Sequence, residues 1–361
     1  MLIIDAHLDL AWNALQWGRD LRRSVQTLRR QEAGQTQPGR GQNTVALPEL
    51  QQGRVALCFA TLLARSTGTP DPHIDYASPA QAYGAAHGQL AYYRALAEQG
   101  HVRLITGRAG LDEHMAAWEA WEADANASAE APAPPPLGVI VSFESADPVL
   151  EPEQLAAWWE AGVRLIGPAH YGPGRYAGGT GAELGLTRAG IHLLREMQRL
   201  GFILDVTHLA DQAFWEALDH YHGPLLASHN NCRVLTPHPR QFDDDQLRAI
   251  VARGGVVGAA LDNWMIRPGW VRGVSASTSV SLAHVVDHID HVCQLAGSSR
   301  HAALGTDLDG GFGREQSPHD LDTIADLQRF TELLAGRGYS EADIAGIMHG
   351  NWLRLLRSHW Q

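Results

Sequence analysis

Apolar runs the length of a strand recur at 1–5, 55–64, 138–143, 164–168, 202–206, 224–228, 255–261 and 302–306. Being apolar on both faces, they predict strands buried between other layers, as in a parallel sheet. Helix-like segments lie between them. Residues 186–201 set Leu193, Leu194, Met197 and Leu200 on one stripe, with Gly201 as a stop. Residues 211–220 repeat the pattern, and the last such segment has Ser340 and Asp343 near its start. Strands alternating with helices of this length are βαβ units. Eight of them predict a (β/α)8 TIM barrel over residues 1–361 as one catalytic domain, with an open doubly wound sheet as the competing arrangement. A run at 102–106 is expected as an extra strand outside the barrel.

Two stretches break the rhythm. Residues 66–82 form a long polar loop after the second strand, on the side where active-site lids lie. Residues 123–136, rich in Ala, Pro and Ser, are expected as a solvated, poorly ordered insertion.

Several of the apolar runs lead directly into metal-type ligands. The first offers His7 and Asp9, VIVSFE offers Glu144, and RLIGPAH offers His170. FILDVTH then offers His208, PLLASH offers His229 and AALGTDLDG offers Asp307. A (β/α)8 barrel builds its active site from the carboxyl ends of its strands, and this mixture of imidazoles and carboxylates suits a pair of divalent metals. Glu144 follows an apolar strand, an unfavourable place for a charge unless it is paired or metal-bound. Taken singly, each signal has a plainer explanation: a histidine after a strand is commonly structural, and TDLDGG makes a turn. Their shared placement at strand ends is what points to a metal-dependent hydrolase.

Composition narrows the chemistry. A net charge of -12 without a basic stripe argues against nucleic acid. Cys58, Cys232 and Cys293 are widely spaced, so neither a disulfide framework nor a thiolate zinc site is expected. No run approaches membrane-span length, and Met1 leads almost directly into the first strand, so a cytoplasmic protein without a membrane partner is expected. All 28 basic residues are arginine. That excludes Schiff-base chemistry, a Walker lysine and a carbamylated lysine bridge, so two metals would share an ordinary carboxylate.

DAHLDLAW, SFES, the block from Leu186 to His208, PLLASH, GTDLDG and GNWLRLL resemble, in order and along essentially the whole chain, the membrane (renal) dipeptidase family of zinc peptidases. The resemblance implies a (β/α)8 barrel, dipeptide substrates, tolerance of a C-terminal D-residue, and a homodimer. It also implies two zinc ions per chain, with His7 and Asp9 on one and His208 and His229 on the other. Glu144 and a water or hydroxide would bridge them. His170 would polarise the scissile carbonyl, and Arg240 would receive the substrate carboxylate. Asp307, close to such a bridging water, is the candidate to accept its proton and pass it to the leaving amine.

Two features depart from the family pattern. GPAHYGPGRYAGG alters the wall beside His170, and Asp262 falls near the place of a carboxylate-binding tyrosine. They keep a second substrate class in view: a cyclic amide, a lactone or an N-acyl amino acid. Asp5, Asp309 and Asn231 are expected to orient ligands rather than serve as ligands.

Overall fold

A computed structural model describes residues 1–71, 74–127 and 132–360. Each predicted run forms a strand: β1 (Ile3–Leu8), β2 (Val55–Leu62), β3 (Val102–Leu104), β4 (Leu137–Phe143), β5 (Val163–Ile166), β6 (Ile203–Asp205), β7 (Leu225–Leu226), β8 (Val257–Ala259) and β9 (Ala302–Leu304). All pairings among these strands are parallel. The sheet runs β1-β2-β4-β5-β6-β7, and β8 pairs with β9. A bridge between Ala227 and Val257 joins β7 to β8. The Asp307 N–H donates to the His7 carbonyl at 3.3 Å and joins the end of β9 to β1. The sheet thus curls into a (β/α)8 barrel rather than lying open. The extra strand β3 pairs only with β4, along Leu137–Val139, while β5 takes the other end of that edge.

Alternation along the strands divides the core. Ile4, Ala6, Leu57, Phe59, Ile140, Leu165, Ile203, Leu226 and Ala303 pack into one buried cluster with Trp352. Their neighbours Ile3, Val55, Cys58, Val139, Val141, Val163, Leu204 and Leu225 face the surrounding helices. The helix Arg188–Leu200 has the expected boundaries: Thr187 accepts from the Gly190 N–H at 3.0 Å, and Gly201 ends it in the left-handed conformation.

The last segment is capped by Ser340 and Asp343, but it is not one regular helix. A π-helical stretch, Gly346–Gly350, separates Glu341–Ala345 from Asn351–His359. Asn351 donates to the carbonyls of Ser299 and Ala302, both at 2.8 Å, which anchors the chain where the helix changes pitch.

For residues 123–127 the expected disorder is corrected. Residues up to Ala127 continue the helix Arg108–Ala127, as their alanine content allows. The Pro-rich return is held by Trp121 and Trp118, whose indole N–H groups donate to the carbonyls of Pro132 and Pro136. Residues 128–131 of that stretch lie outside the described residues. In the 66–82 stretch, Ser78 caps a helix that begins at Pro79, and residues 72–73 lie outside the described residues. The rest of that loop is organised by Asp75, which accepts from the Thr67 N–H at 3.0 Å and the Thr67 hydroxyl at 2.6 Å. Among the described residues, no helix is long and apolar enough to cross a membrane.

Candidate active site

The structure brings all seven strand-end ligands together. His7 is in β1 and Asp9 lies just beyond it; Glu144 follows β4, His170 β5, His208 β6, His229 β7 and Asp307 β9. Glu144 is the hub. Its Oε1 lies 3.3 Å from Nε2 of both His7 and His170, 3.4 Å from His208 Nε2 and 3.7 Å from His229 Nε2. His7 Nε2 is also 3.9 Å from Asp9 Oδ1 and 3.8 Å from Asp307 Oδ1. Three overlapping triads result: His7–Glu144–His229, Glu144–His170–His208 and His7–Asp9–Asp307.

Local structure aims these groups. His208 and Asp307 adopt positive φ, 68° and 58°, an uncommon conformation for residues with a side chain. Hydroxyl groups hold the outer nitrogens: Thr180 meets His208 Nδ1 at 3.1 Å and Ser228 meets His229 Nδ1 at 2.9 Å. Both Nε2 atoms are then left facing Glu144, an arrangement typical of histidines set to bind metal. Asp5 accepts from the backbone N–H groups of His7 at 3.1 Å and Thr306 at 2.8 Å, fixing β1 against the segment that carries Asp307. Asp309 and Asn231 hold backbone rather than ligand side chains. Asp309 accepts from Thr44 and Val45, and Asn231 bonds Ala260 and Met265.

Sequence reasoning missed Thr61, Arg65, Thr180 and Asp205. The Thr61 hydroxyl makes a very short hydrogen bond to Asp9. Asp205 accepts from the N–H groups of Thr207 and Ser228 at 3.0 Å, repeating at β6 what Asp5 does at β1. The parallel between DAH and DVTH was its available signal. Arg65 Nη1 lies 3.1 Å from His170 Nδ1. A guanidinium has donors only, so Nδ1 is the acceptor and the imidazole proton sits on Nε2, facing Glu144. No spacing rule announces that contact.

The cluster's charges are unbalanced in a way that cations would resolve. Burial opposes charge on His7, yet Glu144, Asp9 and Asp307 outweigh it and push its pKa up to about 10. Burial also opposes charge on Glu144, but the imidazoles of His170 and His7 hold it well below the usual carboxylate range. Burial, reinforced by Glu144, raises Asp9, and burial raises Asp307 despite the pull of His7. His208 and His229 are pushed well down, first by burial. Two buried atoms, His7 Nε2 and Glu144 Oε2, have no hydrogen-bond partner. Unpaired buried donors and acceptors are costly, and metal ligation satisfies both kinds at once. The residues therefore fit divalent metal ions.

Above this floor opens a cavity of about 580 Å³. Trp12, Trp17, Gln37 and Arg40 line one side, Asp71 and Ile74 belong to the loop after β2, and Asp262, Trp264 and Arg272 follow β8. Arg240 also lines it; its side chain is buried and donates to Asn230 Oδ1 and the His229 carbonyl, both at 2.7 Å. Asp262 is buried too, and both its oxygens accept from Gln316 Nε2 at 2.8 Å. Burial raises its pKa to about 7.

Comparison with known proteins agrees with this geometry. An uncharacterized Klebsiella pneumoniae protein encoded in the pqqA 5′ region is 36% identical over 219 residues, covering 58% of this chain and 78% of that protein. An uncharacterized dipeptidase of Schizosaccharomyces pombe is 31% identical over 211 residues, or 57% of this chain and 49% of its own length. A crystal structure of a Rhodobacter sphaeroides metallopeptidase, liganded with a phosphinate mimic of L-Ala-D-Ala, shares the fold with a TM-score of 0.77. Its sequence is 22% identical, with 100% of this chain and 99% of that one covered. The family model for membrane dipeptidase, peptidase family M19, matches residues 1–360. The chain belongs to that family of metal-dependent hydrolases.

Proposed function

We propose that the whole chain acts as one catalytic domain, a binuclear zinc dipeptidase. In this reading His7 and Asp9 hold one ion, His208 and His229 hold the other, and Glu144 is shared. The observation that carries it is the single Glu144 oxygen within 3.3–3.7 Å of four imidazole Nε2 atoms. A monodentate surface ion pair would not gather four such partners around a buried carboxylate.

When bound, divalent cations supply Lewis acidity and make water at the site acidic enough to ionise near neutral pH. The protein's own groups do the rest. Asp307, beside His7, accepts the water proton and returns it to the leaving amine. His170, with its Nε2–H turned inward by Arg65, donates to the oxyanion that develops on the scissile carbonyl. Two N–H groups of Arg240 are engaged by Asn230 and His229; among the described residues the others make no hydrogen bond, and in this reading they receive the carboxylate of a short peptide. That contact favours substrates with a free C-terminus. Turnover of peptides ending in a D-residue belongs to the same reading, and the phosphinate seated in the Rhodobacter neighbour supports it. A homodimer is the expected assembly, and the three buried free cysteines accord with a reducing, cytoplasmic setting.

The test is hydrolysis of an L,L and L,D dipeptide panel by zinc-loaded protein, with bound metal counted in wild type and Glu144→Gln. Wild type should turn over dipeptides with about two metals per chain, and the variant should lose on the order of 10³-fold or more in kcat/KM. Two bound metals without turnover of any dipeptide would sink the peptidase reading. The search would then move to cyclic amides, lactones and N-acyl amino acids.

A further inference from the structure

Asp262 is a carboxylate of the cavity wall held by neutral partners. It follows β8, is 6% exposed, and lines the cavity that opens over the Glu144 cluster. Its partners are all neutral: the Gln316 amide, the Trp264 side chain and the Trp264 backbone N–H, through which Asp262 caps the short helix Asn263–Ile266. Among the described residues it forms no ion pair, whereas Asp75 and Glu32, also buried, each face an arginine. Arg272 lines the same cavity from its exposed rim; among the described residues it forms no ion pair, and its charge only partly offsets the burial of Asp262. A buried carboxylate is stable as an anion only when a cation or several donors compensate it. Gln316 supplies one nitrogen, shared between both oxygens. A cationic group entering through the cavity would supply the charge that these neutral donors do not.

The neighbouring sector fixes what kind of molecule can bring it. Arg240 lies beyond β7 and Asp262 beyond β8, so a cation and an anion flank adjacent sectors of one wall. A ligand matching this pair carries an anion at one point and a cation at another.

We propose that Asp262 forms a subsite for a cationic side chain on the substrate's C-terminal residue, so that dipeptides ending in lysine, ornithine or arginine are the preferred class. This rests on the dipeptidase reading, with Arg240 as receiver of the terminal carboxylate. The α-carboxylate meets Arg240, the side-chain cation meets Asp262, and the scissile carbonyl is left over the Glu144 cluster. The substrate's own α-amine is common to every dipeptide and would confer no such preference.

The experiment compares kcat/KM for Ala-Lys, Ala-Arg, Ala-Leu and Ala-Glu on metal-loaded wild type and Asp262→Asn. Wild type should favour the cationic substrates over Ala-Leu by roughly 10- to 100-fold, the range of a charge-assisted hydrogen bond in a desolvated site. Ala-Glu should be the poorest. In Asp262→Asn the lysine-to-leucine ratio should fall towards one. Equal rates with Ala-Lys and Ala-Leu in wild type overturn the subsite and leave the dipeptidase intact; so does a lysine preference that survives in Asp262→Asn. If no dipeptide is hydrolysed, the dipeptidase reading fails, and calorimetry of free lysine against norleucine on the same protein decides the subsite alone. About tenfold tighter lysine supports it, and equal binding overturns it.

Discussion

The floor of the cavity is delivered by strand ends, whereas its wall is gathered from segments far apart in the chain. His7, Glu144, His208 and His229 are each no more than 7% exposed, and the backbone beneath them is pinned by Asp5 and Asp205. The wall is held by side-chain ion pairs instead. Arg19 binds Glu32 at 2.8 Å and the Gly39 carbonyl at 2.6 Å, which folds residues 17–40 back over the opening. Asp75 does the same for the loop after β2, through Thr67 and Arg65. A sheet holds its strand ends in a fixed register, because every strand is hydrogen-bonded to its neighbours. The loops are tied to the rest of the molecule by single side-chain contacts such as Arg19–Asp309 and Ser66–Asp147 rather than by a continuous ladder. The floor is therefore the place for chemistry and the wall the place for selectivity.

The sharpest way to break that division is at the floor. Asp307→Asn keeps the shape and hydrogen-bonding reach of the side chain but removes the proton acceptor. It should cost about 10²- to 10⁴-fold in kcat/KM while bound metal stays at the wild-type count. A loss below tenfold would mean that proton handling lies elsewhere. Loss of metal along with activity would make Asp307 a ligand rather than a base.

The same division explains what could be read from the sequence. Strands buried on both faces leave continuous apolar runs, so β1, β2, β4 and their companions were legible, as were ligands at their ends. His170 and Asp307, which follow such runs, were found the same way, although a turn explains Asp307 equally well until His7 is seen beside it. The wall leaves no such trace. Arg65 reaches His170 across 105 residues and Gln316 reaches Asp262 across 54, and no periodicity connects residues brought together by loops. Residues 123–127 were misjudged for a different reason: an Ala-rich stretch near prolines reads as disorder, yet alanine is also the best helix former.

Arg65 sits on the boundary between the two regions. Nη1 meets His170 of the floor, and Nη2 lies 3.4 Å from Asp75 of the wall loop. As a positioning residue it should act on kcat. Arg65→Met should lower kcat by roughly 10- to 100-fold, as loss of an orienting partner commonly does, with KM changed by no more than a few-fold. Arg65→Lys should recover part of the loss, since an ammonium can still donate to Nδ1. A rise in KM at constant kcat would assign Arg65 to the wall alone.

A stability measurement isolates the wall from the metals. Folded Asp262 has its pKa raised by burial from 3.8 to about 7. Between those values the unfolded chain has released a proton that the folded chain keeps, so each step upward in pH favours unfolding. The contribution is intact below about pH 4, is lost progressively to about pH 7, and stays lost above it. The full span is up to about 4 kcal/mol at 1.36 kcal/mol per unit. Denaturant unfolding of wild type and Asp262→Asn across this range cancels the titration of the metal ligands, which both proteins share. Wild type should lose stability relative to the variant as pH rises from 4 to 7, and the difference should then level off. A flat difference would show that Asp262 is already ionised in the folded protein, compensated by a charge such as Arg272. If the slope is present, free lysine at pH 8 should restore part of the lost stability to wild type and none to Asp262→Asn, because a cation that binds only the folded anion stabilises it by mass action.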